Sequence, residues 1–584
     1  MNRKKIDMHY LRLAKAYEEL EKTSAKLKKS SIIATLLKDT EPAEMEKIVL
    51  LLQGRVFPAW SEKELGIANQ LMIKAISNTT GFAIGKVEEM FKRTGDLGLV
   101  VEELMSKKKQ STLFRKRLTL EKVFENLQKI ADVEGKGSQD RKFQLVSEII
   151  GCAEAMEAKY IIRTVLGELR IGVAEGIIRD AIAEAFFHDE QRKEATNAIE
   201  WAWFLTGDYG EVARMAKEKG MSGLKSVKLE IGKPIQVLLA EKSPSLKEAL
   251  ESFEECAIEI KYDGARVQIH RKGEKIWLYT RRLENITRQF PDLVDMVRKH
   301  VRGDDFIIEG EILAIDPKSQ KPMPFQMLSQ RIHRKYDIEE IARQIPIQVN
   351  LFDAVCHNGK TLFNAPFRQR RKVLESAIAA LPGKFQLAEE LVTKDLEKAE
   401  RFYRKALEEN QEGVMVKNLQ ALYQPGRRVA GGWLKVKPTM ENLDLAIVGA
   451  GWGTGKRAGW MGTFVLGVRD EKTGSFLECG MMGTGLREKE QEAQEKEVNV
   501  KEGVTFQNLT KMLKPYIESD KGGSIKIKPK VVVEVAYEEI QKSPNYESGY
   551  ALRFPRIIRI RFDKGPEQAD TLDRLKRLYG QQGK

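Results

Sequence analysis

The run AIEIKYDGAR, Ala257 to Arg266, brings a lysine, two carboxylates and an arginine into one short stretch. Read as a strand, alternation puts Glu259, Lys261 and Asp263 on one face and Ile258, Ile260 and Tyr262 on the other. A lysine amine attacks electrophiles only after losing its proton. The ordinary ammonium titrates near ~10.4, so nucleophilic work near neutrality needs roughly three units, or about 4 kcal/mol, of environmental bias. Neighbouring cations and desolvation supply it. Gly264 permits a tight bend or a close approach of a ligand to the backbone. Taken alone, a lysine beside an aspartate such as Lys261 and Asp263 is most often a surface ion pair, so the rest of the chain has to decide.

The elements that must position this run change texture along the 584 residues. Residues 1–221 read as one all-helical domain: Leu13, Tyr17 and Leu20 recur at helical spacing, and Thr40 with Pro42 opens a helix closed at Gly54. Residues 222–438 alternate β-rich and helical runs and are expected to form an α+β domain with largely antiparallel strands. From 439 to 584 come short strands between glycine-rich turns, expected to close as a β-barrel of the OB type.

Further candidates follow in order. Arg281 lies in YTRRLENIT, Glu311 in IEGEILAID, Phe352 in NLFDAV, Glu412 in EGVMVK, Lys435 and Lys437 in WLKVKP, and Arg561, Asp563 and Lys564 in RFDK. With Lys261-Tyr262-Asp263-Gly264 as a K-x-D-G motif, this series resembles the covalent nucleotidyltransferases. Within that superfamily it resembles ATP-dependent DNA ligases of the archaeal and eukaryotic replicative type. The resemblance implies a helical DNA-binding domain, an adenylation domain and an OB domain. It makes Lys261 the nucleophile that takes AMP from ATP and passes it to the 5′-phosphate of a nick. It implies nucleotide contacts from Glu259, Arg266, Arg281, Glu311, Phe352 (stacked on adenine), Arg428, Lys435 and Lys437. The spacer after Arg428 is one residue longer than the family's, which leaves Arg427 as an alternative. Glu309 stands where the family has aspartate.

Glu311 and Glu412 are the expected Mg²⁺ (or Mn²⁺) ligands, because hard oxygen donors suit a cation that also binds phosphate. A structural salt bridge is the alternative for both, and for Glu311 a ribose contact as well. Arg561, Asp563 and Lys564 would close over ATP during adenylation, swinging about the loop after Pro438 as a hinge, with Asp444 a further candidate at that hinge. GELRIGVAEG suggests that Arg170 and Gly172 meet the DNA backbone, although Gly172 also reads as a helix cap. Gln110, Leu113 and Phe114 resemble a sliding-clamp-binding peptide.

Composition agrees with a polyanionic partner. Lys and Arg number 99 against 85 Asp and Glu, giving a net charge of +14. Four cysteines, none in a C-x-x-C pair, argue against a disulfide framework, a zinc ribbon and the zinc-bearing NAD-dependent ligases. No apolar run approaches the ~18 residues of a membrane span, and the N-terminus lacks a signal peptide, so a cytoplasmic protein is expected; beside the ligase resemblance, nucleoid association and a monomeric state are expected too. An RNA ligase and a non-catalytic nucleic-acid scaffold are the rival readings. The long helical region and the retained Lys261, Glu311 and Glu412 weigh against them.

Overall fold

The fold is described from a computed structural model. It describes residues 8–582 apart from 62, 108–116, 134, 136, 335, 427–430, 439, 454–458, 484–485, 487–504 and 522–523. The chain divides into two compact units: Met1–Tyr403 with Val414–Val436, and Arg404–Gly413 with Lys437–Lys584.

The first unit begins with twelve α-helices described between Tyr10 and Lys225. Their shared core takes in Leu13, Tyr17 and Leu20, each fully buried as the helical spacing predicts. The helix Pro42–Leu52 forms where expected, but Thr40 does not cap it. The Thr40 hydroxyl instead donates to Leu36 O at 2.7 Å, closing off the preceding helix Lys26–Lys38, and Glu41 takes the cap position. The last helix, Tyr209–Lys225, bends at Gly220, whose φ of 56° only glycine adopts without strain. Between the helices, Arg163 is 2% exposed and reaches Asp96 at 2.8 Å and Glu21 at 2.9 Å. Charges survive such burial only when paired. Burial alone would raise the Glu21 carboxyl, but Arg163, Tyr160 and Lys159 outweigh it and bring it down to about 2.

Two sheets follow. One is ordered Glu241–Lys242, Trp433–Val436, Gly413–Asn418, Cys256–Lys261, Glu390–Val392. The other runs Lys275–Thr280, Ala265–Lys272, Asp305–Ala314, Ile347–His357, Lys360–Thr361, with Phe385–Leu387 against Ile347–His357. Parallel pairing occurs between Glu241–Lys242 and Trp433–Val436 and between Ile347–His357 and Phe385–Leu387; the other ladders given in register are antiparallel. The expected α+β pattern is met.

The segment joining helices to sheets is held by side chains of the strand Ala265–Lys272. Alternation puts Arg266, Gln268 and His270 on one face. Arg266 Nη1 donates to Leu238 O (2.7 Å), and Gln268 Oε1 accepts from Ile235 N (2.9 Å). His270 Nδ1 accepts from Gly232 N (3.1 Å). Burial pushes His270 down to about 3, so the ring stays neutral and keeps the lone pair this contact needs.

In the second unit a seven-stranded sheet is built around the strand Leu443–Trp452, which pairs with three others. The hairpin Glu539–Lys542 with Tyr550–Arg553 is a separate ladder that shares the sheet's core through Ile540 and Leu552. The domain is OB-like, yet among the described residues its sheet is open at both ends of the strand order, so the expected closed barrel is not formed. Leu443 pairs with Val535 and Gly449 with Lys526, so successive halves of one long strand serve different neighbours.

Candidate active site

The strand Cys256–Lys261 ends at the lysine. Asp263 therefore lies beyond the strand, and the alternation expected to carry it onto the face of Glu259 and Lys261 stops short of it. Gly264 explains the break. A Cβ there would stand 2.3 Å from Ile312 O and 2.9 Å from Glu311 Cγ, so only glycine lets the loop after Lys261 press on the Glu311 strand. In that ladder Glu311 lies opposite Arg266 on one side and Asn350 on the other.

Behind Lys261 lies a buried ionic cluster. Glu259 receives Lys417 Nζ at 2.5 Å and Arg371 Nη1 at 3.4 Å. Lys417 is 1% exposed, and its ammonium sits 4.7 Å from the Phe352 ring centre, 4.7 Å from Phe367 and 4.1 Å from Trp433. Burial pushes the Lys417 ammonium down and the Glu259 carboxyl up, while each partner draws the other back toward its charged form. Arg266 also faces Phe352, at 5.2 Å. Its Nη2 donates to Glu309 Oε2 (2.7 Å), which accepts from the Tyr423 hydroxyl as well (3.0 Å). Glu309 is thus fully buried as the counter-ion of Arg266. Burial opposes the Arg266 charge, yet Glu309 and its neighbours keep that guanidinium firmly protonated.

Sequence reasoning did not single out Lys417, Arg371 or the buried pair Arg370–Asp353 (2.8 Å). Lys417 carried a usable signal, a lysine alternating with Val414 and Val416 on a strand whose core positions are apolar. The arginines lie on the helix Phe367–Ala377 in a basic run that reads as a solvated face.

The sequence as a whole can now be set beside known proteins. Residues 9–183 match the family model described as DNA ligase N terminus. Residues 237–437 match ATP dependent DNA ligase domain, and residues 457–564 match ATP dependent DNA ligase C terminal region. A DNA ligase from Nanoarchaeum equitans (strain Kin4-M) is 48% identical over 98% of this chain and 99% of its own length. The chain belongs to the ATP-dependent DNA ligases. A DNA ligase from Thermococcus fumicolans is 45% identical, again over 98% of this chain and 99% of its own. A solved structure described as Pmar-Lig_PreS3 shares the fold, with a TM-score of 0.55 at 16% identity over 94% of this chain and 99% of that one.

The other expected ligase residues are spread over both units. Arg281 follows the strand Lys275–Thr280 and lines a polar cavity of about 410 Å³ with Arg55, Glu175, Asp208, Gln236 and Glu284. Lys435 sits on the strand Trp433–Val436, in register with Met415 and Lys242. Arg170 and Gly172 both have positive φ, 59° and 62°, in the loop before the helix Glu175–Phe186. Arg170 donates to Gly95 O (3.1 Å) and pairs with Asp96 (3.4 Å), while Gly172 O accepts from the buried Lys29 ammonium (3.0 Å). In the second unit Lys437 pairs with Glu412 at 2.6 Å and Glu538 at 3.4 Å. Burial disfavours the Lys437 charge, but these two carboxylates raise its affinity for the proton. Arg561 holds Asp444 (2.7 Å) and Asp563 (2.7 Å), and Lys564 holds Asp444 (2.6 Å). Arg428 with its alternative Arg427, and Gln110, Leu113 and Phe114, lie outside the described residues.

Proposed function

We propose that the protein seals nicks in duplex DNA at the expense of ATP, with Lys261 as the nucleophile. Lys261 Nζ attacks the α-phosphorus of ATP, forming an N–P bond as pyrophosphate leaves. The 5′-phosphate oxygen of the nick then takes the AMP, and the lysine recovers its amine. The 3′-hydroxyl attacks the activated 5′-phosphorus, gives up its proton and expels AMP. The observation that carries this reading is the placement of Lys261 at a strand end, on a loop that only Gly264 allows against the Glu311 strand.

The surroundings suit that chemistry. Phe352, with Lys417 and Arg266 near its ring, offers an aromatic shelf for adenine. Phosphoryl transfer is catalysed mainly by positioning and by positive charge near the phosphates, a role open to Arg281, Lys435 and Lys437. Glu311 and Glu412 are hard oxygen donors of the kind Mg²⁺ takes alongside phosphate oxygens, which fits either as a ligand. Bound there, the cation would neutralise charge on the triphosphate. Glu311 equally suits a ribose hydroxyl. Arg561 and Lys564 are neutralised by Asp444 and Asp563 within their own unit, so turning toward a nucleotide would mean exchanging carboxylate for phosphate partners. The helical domain would hold the DNA backbone through Arg170 and Gly172.

Roles in replication, repair and recombination, a nucleoid location, monomeric state and clamp binding through Gln110, Leu113 and Phe114 are proposed from the sequence alone. Among the described residues no helix is long and apolar enough to cross a membrane.

The test is incubation with Mg²⁺ and ATP labelled at the α-phosphate, then a chase with nicked duplex. We expect a denaturation-resistant protein label, absent from Lys261→Ala, that nicked DNA discharges as sealed strand appears. Label passing only to RNA ends would overturn the substrate, and absence of label from AMP-free protein would overturn the reaction.

A further inference from the structure

Glu311 sits between two neighbours in the ladder, Arg266 on the strand Ala265–Lys272 and Asn350 on the strand Ile347–His357. Residues directly opposite in antiparallel strands share a face, with Cβ atoms ~4.5–5.5 Å apart. Both neighbours carry a buried N–H donor without an acceptor: Arg266 Nε and Asn350 Nδ2.

Arg266 has other reasons for its place, since it binds Leu238 O and Glu309 and faces Phe352. Asn350 does not. It is 0% exposed, and its bonds are two that it accepts through Oδ1, from Gln348 Nε2 (3.0 Å) and Gln386 Nε2 (3.2 Å). Both glutamines are partly exposed, so water could serve them equally well. Gln386 Oε1 accepts from Gly383 N (2.9 Å), which turns Gln386 Nε2 toward Asn350, fixes which end of the asparagine amide is which and leaves its amino group unsatisfied beside Glu311. A buried donor without a partner is costly, and native proteins keep few of them. An asparagine kept in that state on the shoulder of a working carboxylate implies that donor and carboxylate come into register only when the site is filled.

We propose that Asn350 is a positioning residue for Glu311. When nucleotide binds, Asn350 Nδ2–H donates to the Glu311 carboxylate and fixes its aim at the ribose or at a phosphate-bound cation. A charge-assisted bond of this kind is short and directional, which suits a group that must hold one orientation while charge builds on the phosphate. The proposal rests on reading Glu311 as a nucleotide- or metal-facing group.

The experiment is a double-mutant cycle in the full chain, with Asn350→Leu and Glu311→Ala separately and together. Two quantities are read: ATP affinity by calorimetry and the rate of Lys261 labelling. Thermal melting serves as the control for folding. Asn350→Leu alone should lower the labelling rate about tenfold or more and weaken ATP binding, with melting close to the parent's. In the Glu311→Ala background the same change should do nothing further, because Asn350 acts only through that carboxylate. Asn350→Ser, which keeps a hydroxyl donor, should recover part of the loss and carries the same cycle if the leucine variant fails to fold. Losses that multiply across the two backgrounds would make Asn350 merely structural and overturn the proposal. So would Asn350→Leu protein within twofold of the parent. Glu311→Ala protein as active as the parent would remove the underlying reading of Glu311, and the proposal with it.

Discussion

Replacing Lys417 by methionine keeps an unbranched side chain of similar length among Phe352, Phe367 and Trp433 but deletes the ammonium. What remains is Glu259, 3% exposed, facing Arg371 at 3.4 Å in place of two cations. Breaking one side of a buried ion pair costs about 3–5 kcal/mol, chiefly through the charge left behind. For a urea slope near ~3 kcal/mol/M, that moves the unfolding midpoint down by about 1 M or more. The assay is urea unfolding followed by tryptophan fluorescence, since Trp433 touches the perturbed site. Midpoints are the quantity to compare, because a chain of several domains need not unfold in two states. Adding Glu259→Gln to Lys417→Met should then restore at least half of the lost midpoint, because a neutral amide no longer demands a counter-ion. Equal midpoints for the single and double variants would refute the reasoning and mean that Glu259 and Lys417 are not energetically coupled.

Two further outcomes follow from the geometry. Gly264→Ala must displace Ile312 O, a backbone atom 2.3 Å from the new Cβ, so Lys261 labelling should fall about 100-fold while the helical domain melts normally; labelling within threefold of the parent would contradict the close approach. Glu21 is held down to about 2 against an ordinary 4.5, so its contribution to the helical domain is complete above pH 4.5 and fades as pH falls toward 2. Acid unfolding followed by circular dichroism should therefore be shallower in Glu21→Gln over that interval, and an identical acid limb would argue against the Arg163 cluster.

The parts legible in the sequence were those governed by local period and by short motifs. Helical spacing located Leu13, Tyr17 and Leu20, and a six-residue strand located Lys261. Contacts set by tertiary pairing were not legible. Glu259 meets Arg371 from a helix 112 positions onward and Lys417 from a strand 158 positions onward, and no local pattern specifies either meeting. Thr40 was misread because a threonine ahead of a proline caps a helix or back-bonds to the previous turn with equal ease. The OB-like domain was legible but its closure was not, because strand count and turn spacing say nothing about closure; splitting the strand Leu443–Trp452 between two sets of partners is a property of the assembled sheet. Glu309 looked like a departure from the family's aspartate, and its burial against Arg266 and Tyr423 gives the longer side chain a reason.

The stitched segment before the first sheet bears on where the catalytic part can be cut. Gly232, Ile235 and Leu238 behave as a borrowed strand whose partners are side chains, those of His270, Gln268 and Arg266. The matched catalytic domain begins at residue 237, inside this seam. A fragment started there would keep the Arg266 contact but leave Gln268 and His270, both buried, without the backbone N–H donors that satisfy them. The smallest autonomous catalytic fragment therefore begins upstream of Gly232, and this stretch is the outermost course of the enzyme's own wall.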